Sequence, residues 1–163
     1  MATLTTVSGV NRTLQETSPS EMLDVTQNYG NLRVLYDKYT VATADEFGTN
    51  GLIRLFDIPR GARLISFQTS VEAAGATGIY DIGWAASVEL AADGTALEAA
   101  DPDGIMQAVD PGAAAVIRQE MPNTRPGFMK KFAASVEVQA DFTEATADSG
   151  DDTFHFVAVI SAP

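Results

Sequence analysis

The chain has 163 residues, with 22 acidic against 10 basic residues for a formal net charge of −12, one His, one Trp and no Cys. That length gives one domain with a core of its own, and the missing Cys excludes disulfide, thiolate and iron–sulfur chemistry. Contact with phosphates needs clustered Lys and Arg, yet Lys130-Lys131 is the one basic pair, so neither nucleic acid nor an anionic membrane is an expected partner.

Residues 1–30 are polar and turn-forming, with isolated apolar residues Leu4, Val7, Leu14, Met22, Leu23 and Tyr29. No charged-then-apolar leader pattern opens the segment, and no run in the chain approaches the roughly 20 apolar residues that span a bilayer. Asn11-Arg12-Thr13 therefore has no secretory context as a glycosylation site. Ser20 and Glu21 ahead of Met22-Leu23 suggest at most one helical turn. The segment reads as an extended arm whose six apolar residues lie on another protein surface, since ordering a polar segment must be offset by burial. A solvated terminus is the alternative.

From 31 to 163 the pattern is β. Strands are predicted at 32–42, 51–58, 62–73, 78–90, 113–119, 128–142 and 153–161. Between the second and third, Pro59-Arg60-Gly61 forms a tight turn: Pro presets φ and Gly takes backbone angles that other residues avoid. After it Ile65, Phe67, Thr69 and Val71 point one way, and Ser66, Gln68, Ser70 and Glu72 the other. The Ala-rich segment 92–109 is expected to hold one short helix, with Thr95 as N-cap and Leu97, Ala99 and Ala100 inward. In 128–142, Phe132, Ala134, Val136, Val138, Ala140 and Phe142 alternate with polar residues. In 153–161 both faces are mostly apolar, as in a central strand. Turn signals recur between these strands, including Asp93-Gly94, Pro102–Gly104 and Ser149-Gly150. The spacing gives an all-β, antiparallel sandwich of jelly-roll type over 31–163, preceded by the arm.

No residue constellation carries chemistry. His155 is the one His, whereas a jelly-roll metal enzyme needs two or three imidazoles and a carboxylate. No G-x-S-x-G nucleophile turn occurs. Acidic groups cluster at Asp101, Asp103 and Asp110, and at Asp141, Glu144, Asp148, Asp151 and Asp152, but neither spacing is that of the twelve-residue calcium loop. Gly75-Ala76-Thr77-Gly78 lacks the Lys of a phosphate loop. Trp84, Tyr80 and Ile82 share a strand face, which reads as core or as the start of an aromatic sugar-binding platform. Catalytic, metal-binding and cofactor-binding residues are accordingly expected to be none.

Two pieces carry a resemblance: Ile58-Pro59-Arg60-Gly61-Ala62-Arg63-Leu64, and Tyr80-Asp81-Ile82-Gly83. This phrase, about 35 of the 163 residues, resembles the decoration or cement proteins of tailed-phage heads, several of which carry a strand ending in a Pro-Lys-Gly-Ala turn and then a Leu-Asp-Ile-Gly strand. The resemblance implies a virion structural protein with no enzymatic activity. It would bind the outer surface of an icosahedral head and stabilise contacts between major capsid protein subunits. It also implies a homo-oligomer, a trimer seated where capsomers meet, with strands 51–58 and 153–161 as candidate trimer surface. A carbohydrate- or receptor-binding sandwich on the virion surface is the other reading.

Overall fold

The computed structural model describes residues 2–8, 32–41, 45–72, 78–110, 117–144 and 152–161. Nine strands follow in chain order: β1 (Ala2–Ser8), β2 (Leu32–Thr40), β3 (Asp45–Ile58), β4 (Arg63–Glu72), β5 (Tyr80–Trp84), β6 (Asp101–Val109), β7 (Ile117–Glu120), β8 (Val136–Phe142) and β9 (Thr153–Ser161). They form a five-stranded sheet, β1-β3-β8-β5-β6, and a four-stranded sheet, β2-β9-β4-β7. Without β1, these two orders are those of an eight-stranded jelly roll. Its pairings are antiparallel, while β1 is added in parallel to the β3 edge.

Period-two alternation makes the core. On β8, Val136, Val138, Ala140 and Phe142 are buried while Glu137, Gln139 and Asp141 are half-buried. On β9, Phe154, Phe156, Ala158 and Ile160 are buried, and the strand has a neighbour on each side, as its two apolar faces predicted. Aromatic rings lock the sheets together. Phe142 stacks on Phe47 with centroids 4.3 Å apart, and the edge of Phe154 meets it at 5.7 Å. Tyr80 shares a buried 3.0 Å hydroxyl bond with Thr69 across the sandwich. Burial raises the Tyr80 hydroxyl pKa, and the Thr69 bond offsets part of that rise.

Several expectations are corrected. Segment 92–109 is not helical. Asp93 Oδ1 accepts from the Thr95 amide and hydroxyl at 3.0 and 2.7 Å, and Gly94 has φ of 84°, so Thr95 closes a turn instead of capping a helix. From Asp101 the chain is strand β6, and Asp101-Pro102-Asp103-Gly104 lies in it rather than in a loop. Pro102 is tolerated because β6 is an edge strand. Gly104 serves close packing, since a Cβ there would sit 2.5 Å from the Trp84 ring.

The Pro59–Gly61 turn exists, with Gly61 at φ of 82°. It joins strands of different sheets, however, and so is a corner of the sandwich rather than a hairpin. A bulge between Leu64 and Ser66 shifts the phase there: Leu64 is buried and Ile65 only half-buried. Residues 128–135 keep their inward Phe132 and Ala134, but only the Lys131 bridge to Arg63 belongs to a ladder.

At the N-terminus, Ala2–Ser8 is extended, yet it is part of the domain's own sheet. Leu4 pairs with Phe47 and Val7 with Ile53, and Val7 packs against the core. An arm independent of the domain therefore excludes residues 2–8. Leu14, Met22, Leu23 and Tyr29, and the turn at Ser20, lie outside the described residues.

Candidate functional site

The outer face of the four-stranded sheet carries the chain's most distinctive surface. Its rows follow from register: Val34, Val159 and Ser66; Tyr36, Val157, Gln68 and Glu120; Lys38, His155, Ser70 and Arg118. One end is aliphatic. Leu32 is 58% and Val34 49% exposed, and Val157 and Val159 beside them are half-buried. The other end is polar. A shallow depression of about 220 Å³ is lined there by Gln68, Thr69, Ser70, Arg118, His155 and Val157.

Each nitrogen of His155 has a neighbour. Nδ1 shares a 2.9 Å hydrogen bond with the Tyr36 hydroxyl, and the rings stack at 6.1 Å. Nε2 lies 3.4 Å from Glu72 Oε1, without an aligned hydrogen bond. Ser70, opposite His155, is not bonded to either nitrogen, which is what a Ser–His nucleophile would require. Burial, and then the charges of Glu72 and Asp37, raise the Tyr36 hydroxyl pKa, so Tyr36 stays neutral. Arg118 donates to the Gln68 side-chain oxygen and lies 3.5 Å from the Glu120 carboxylate, with both charged groups exposed.

A second surface is the loop between β5 and β6. Val88 is 94%, Leu90 61% and Leu97 38% exposed. Its base is rigid: Trp84 donates to the Ala99 carbonyl at 2.9 Å, and buried Glu98 takes Lys130 Nζ at 2.8 Å. A depression of about 300 Å³ lies beneath Val88, lined also by Asp57, Glu89, Ser135, Val136 and Glu137. Among the described residues, no three His, Cys, Asp or Glu side chains are grouped as metal ligands. Asp101 and Asp103 instead adjoin Arg125, which bonds Asp103 Oδ2 at 2.8 Å and holds its carboxyl below the usual range. Desolvation pushes the Asp101 carboxyl up.

Sequence-predicted residues fall on both sides of this picture. Trp84 is 2% exposed, so it begins no aromatic platform. On 51–58, Ile53, Leu55, Phe56 and Ile58 are all buried, because a register shift between Arg54 and Asp57 turns two consecutive residues inward. Apolar surface does remain on 153–161, at Val157 and Val159. Sequence reasoning missed Leu32 and Val34; the signal was apolar residues at alternate positions, 32 and 34 on one strand and 157 and 159 on another.

No protein-family model matches the chain, and no curated protein does either. Its fold is found in solved structures. A chain in the capsid of Ralstonia phage GP4 superposes with a TM-score of 0.59 at 16% identity, over 88% of this chain and 92% of that one. A chain of the cyanophage Pam1 capsid asymmetric unit gives 0.51 at 14% identity, over 91% and 97%.

Proposed function

We propose that the chain is a structural, non-enzymatic protein of a phage head that binds the outer surface of the icosahedral shell and stabilises contacts between major capsid protein subunits. The observation that carries the reading is the likeness along nearly the whole of both chains to a chain of the Ralstonia phage GP4 capsid. The partner is the major capsid protein, and the working form is a trimer seated where capsomers meet. Linked copies rebind at high effective concentration, so weak contacts add up to firm attachment. Because the chain binds the assembled shell, mass action stabilises that shell against packaged DNA. Its net charge of −12 favours the side away from the genome.

Topology supports a role for residues 9–31 in attachment. β1 is parallel to β3, β2 and β4 both run antiparallel to β9, and the tight turn at 59–61 sends β3 opposite to β4, so Ser8 and Leu32 lie toward the same end of the sandwich. Neighbouring strand ends are usually joined by about four to six residues. Residues 9–31 far exceed that, which suits a segment with a binding task, and Leu14, Met22, Leu23 and Tyr29 are its apolar contacts. Leu4 and Val7 on β1 anchor its root.

The test is co-sedimentation of purified protein with intact heads of the phage that encodes it. Pelleting with heads, but not with dissociated capsid protein, is the expected result, with three copies per site in images at subunit resolution. Protein left in the supernatant overturns the proposal, and density on the inner surface overturns the placement. Activity that disappears in a His155→Ala variant, in a screen of glycosides, esters and phosphoesters, overturns the non-enzymatic part.

A further inference from the structure

We infer that the end of the sandwich around the Pro59–Gly61 corner is the seat of the molecule: through Val88, Leu90, Leu97, Phe128 and Met129 it docks on an apolar, weakly charged seam of the assembled shell, and the opposite end faces solvent. The inference rests on the proposed attachment to phage heads and adds which end of the chain makes it. The ladders place the elements. Val136 pairs with Ile58 and Trp84 with Val138, so the loop after β5 leaves at the corner end. The Met129 amide donates to the Leu64 carbonyl at 2.8 Å and the Gly61 amide to the Phe132 carbonyl at 2.9 Å, which sets residues 128–132 beside the corner. Glu98 ties the two segments together: one carboxylate oxygen meets Lys130 Nζ at 2.8 Å and the other accepts the Ala133 amide at 3.1 Å. Five of the seven exposed large apolar side chains among the described residues thus come from two adjoining segments at one end. Leu32 joins them, since its ladder partner Ser161 also pairs with Arg63 of the corner. Scattered singly, such residues are ordinary; gathered, they mark an interaction site.

The loop that carries Val88 is already ordered. The Leu97 amide donates to the Glu89 carbonyl at 2.9 Å and the Ala91 amide to the Thr95 carbonyl at 2.7 Å. A contact made by a pre-ordered loop loses little conformational freedom on binding. Charge selects the occupant. Residues 59–63, 85–104 and 121–135 hold five basic and five acidic residues, whereas the rest of the chain holds five against seventeen. Several of these charges neutralise one another, as Arg60 with Glu89, Arg125 with Asp103 and Lys130 with Glu98. What this end offers a partner is therefore apolar, with Phe and Met present and net charge absent, as in the centre of a protein interface. Nucleic acid and anionic lipid would need a net basic cluster. Glu72, Asp110 and Glu144 are exposed at the opposite end, where desolvation would penalise docking. Ser8 and Leu32 bracket residues 9–31 at the corner end, so that segment and the apolar patch reach the same partner, and each contact raises the effective concentration of the other.

Co-sedimentation of the full-length chain with intact heads supplies the first arm. Val88→Asp and Leu90→Asp should each weaken binding about tenfold, and Glu144→Lys should leave it within about twofold. Wild-type chain that pellets while both Asp variants pellet equally well overturns this inference and leaves the attachment standing; a wild-type chain that stays in the supernatant overturns both. Equal weakening by Glu144→Lys also overturns it. The second arm uses the absence of Cys from the chain. Alkylation of Val88→Cys should slow about tenfold when heads are added, while that of Glu144→Cys should not change. The reverse pattern, or equal slowing, refutes the seat. Sedimentation velocity of the free chain separates a contact between copies: Val88→Asp should leave the oligomer intact, and its dissociation would assign this end to self-assembly and refute docking on the shell. Should the Asp variants fail to fold, the alkylation rates decide.

Discussion

On the five-stranded sheet the solvent side is a mesh of charge. Arg54 grips Glu137 with two bonds of 2.8 and 2.6 Å, the Asp81 carboxylate takes the Ala108 amide at 2.7 Å, and Asp141 stands opposite Asp81 in the ladder. On the four-stranded sheet the solvent side fades from the Tyr36–His155–Glu72 row to bare aliphatic side chains at Leu32 and Val34. The inner faces of both sheets are mostly apolar, although the four-stranded sheet also buries Asp37 and Thr69. The outer faces diverge, because folding leaves them free. What differs there is the chemistry of the exposed side chains: paired charges on one sheet, and aliphatic groups at one end of the other.

The largest test of this contrast lies where the sheets share a residue. Phe142 belongs to the five-stranded sheet and touches Phe154 of the other, as well as Phe47 and Tyr80. Phe142→Ala should lower stability by about 3–5 kcal/mol in urea melts. A loss below about 1 kcal/mol would mean that the sheets do not share this seam. Next comes the corner between them. Gly61→Val strains a residue at φ of 82° and should cost about 1–3 kcal/mol. Arg60→Ala removes only an exposed 3.0 Å contact with Glu89 and should cost under about 1 kcal/mol. Similar midpoints for the two would dissolve the corner.

A pH series probes the charged face. Burial, and then the Asp81 charge, raise the folded-state pKa of Asp141. Ionised Asp141 therefore works against folding above its raised value, and that penalty is relieved as pH falls toward the unfolded carboxylate value of about 3.9. Asp141→Asn should raise the urea midpoint at pH 7 and lose the gain by about pH 3. Asp103 runs the other way. The Arg125 bond lowers its pKa, so it stabilises above the unfolded value and the contribution is lost as pH falls through the folded one. Asp103→Asn should lower the midpoint at pH 7 and leave it unchanged in strong acid. The smallest effect belongs to the aliphatic patch. Val34→Ser should shift monomer stability by no more than about 0.5 kcal/mol, while Val138→Ser, at a fully buried site, costs several times more. A large loss at Val34 would make the patch core rather than surface.

Much of the candidate surface was hidden in the sequence for a physical reason. Val157 and Val159 announced a strand apolar on both sides, but nothing local says whether the second side is covered. Leu55 and Phe56 posed the same question, and a register shift buried both. Trp84 offered a platform by composition, and Phe132, edge-on at 5.2 Å, closed it.

By itself the sequence determined the all-β class, the inner face of β8, the two apolar faces of β9, and the positive φ of Gly61. Each is local: alternation, residue size and backbone freedom act within a few residues. The tertiary structure decided which strands are neighbours, because a two-residue period names no partner. It made a corner of Pro59–Gly61. It also drew Asp101–Val109 into a strand against the Trp84 ring, where local Ala content had favoured a helix. The same long-range pairing left β2 at an edge with Leu32 and Val34 exposed, since only the order of the whole sheet decides which strand is last.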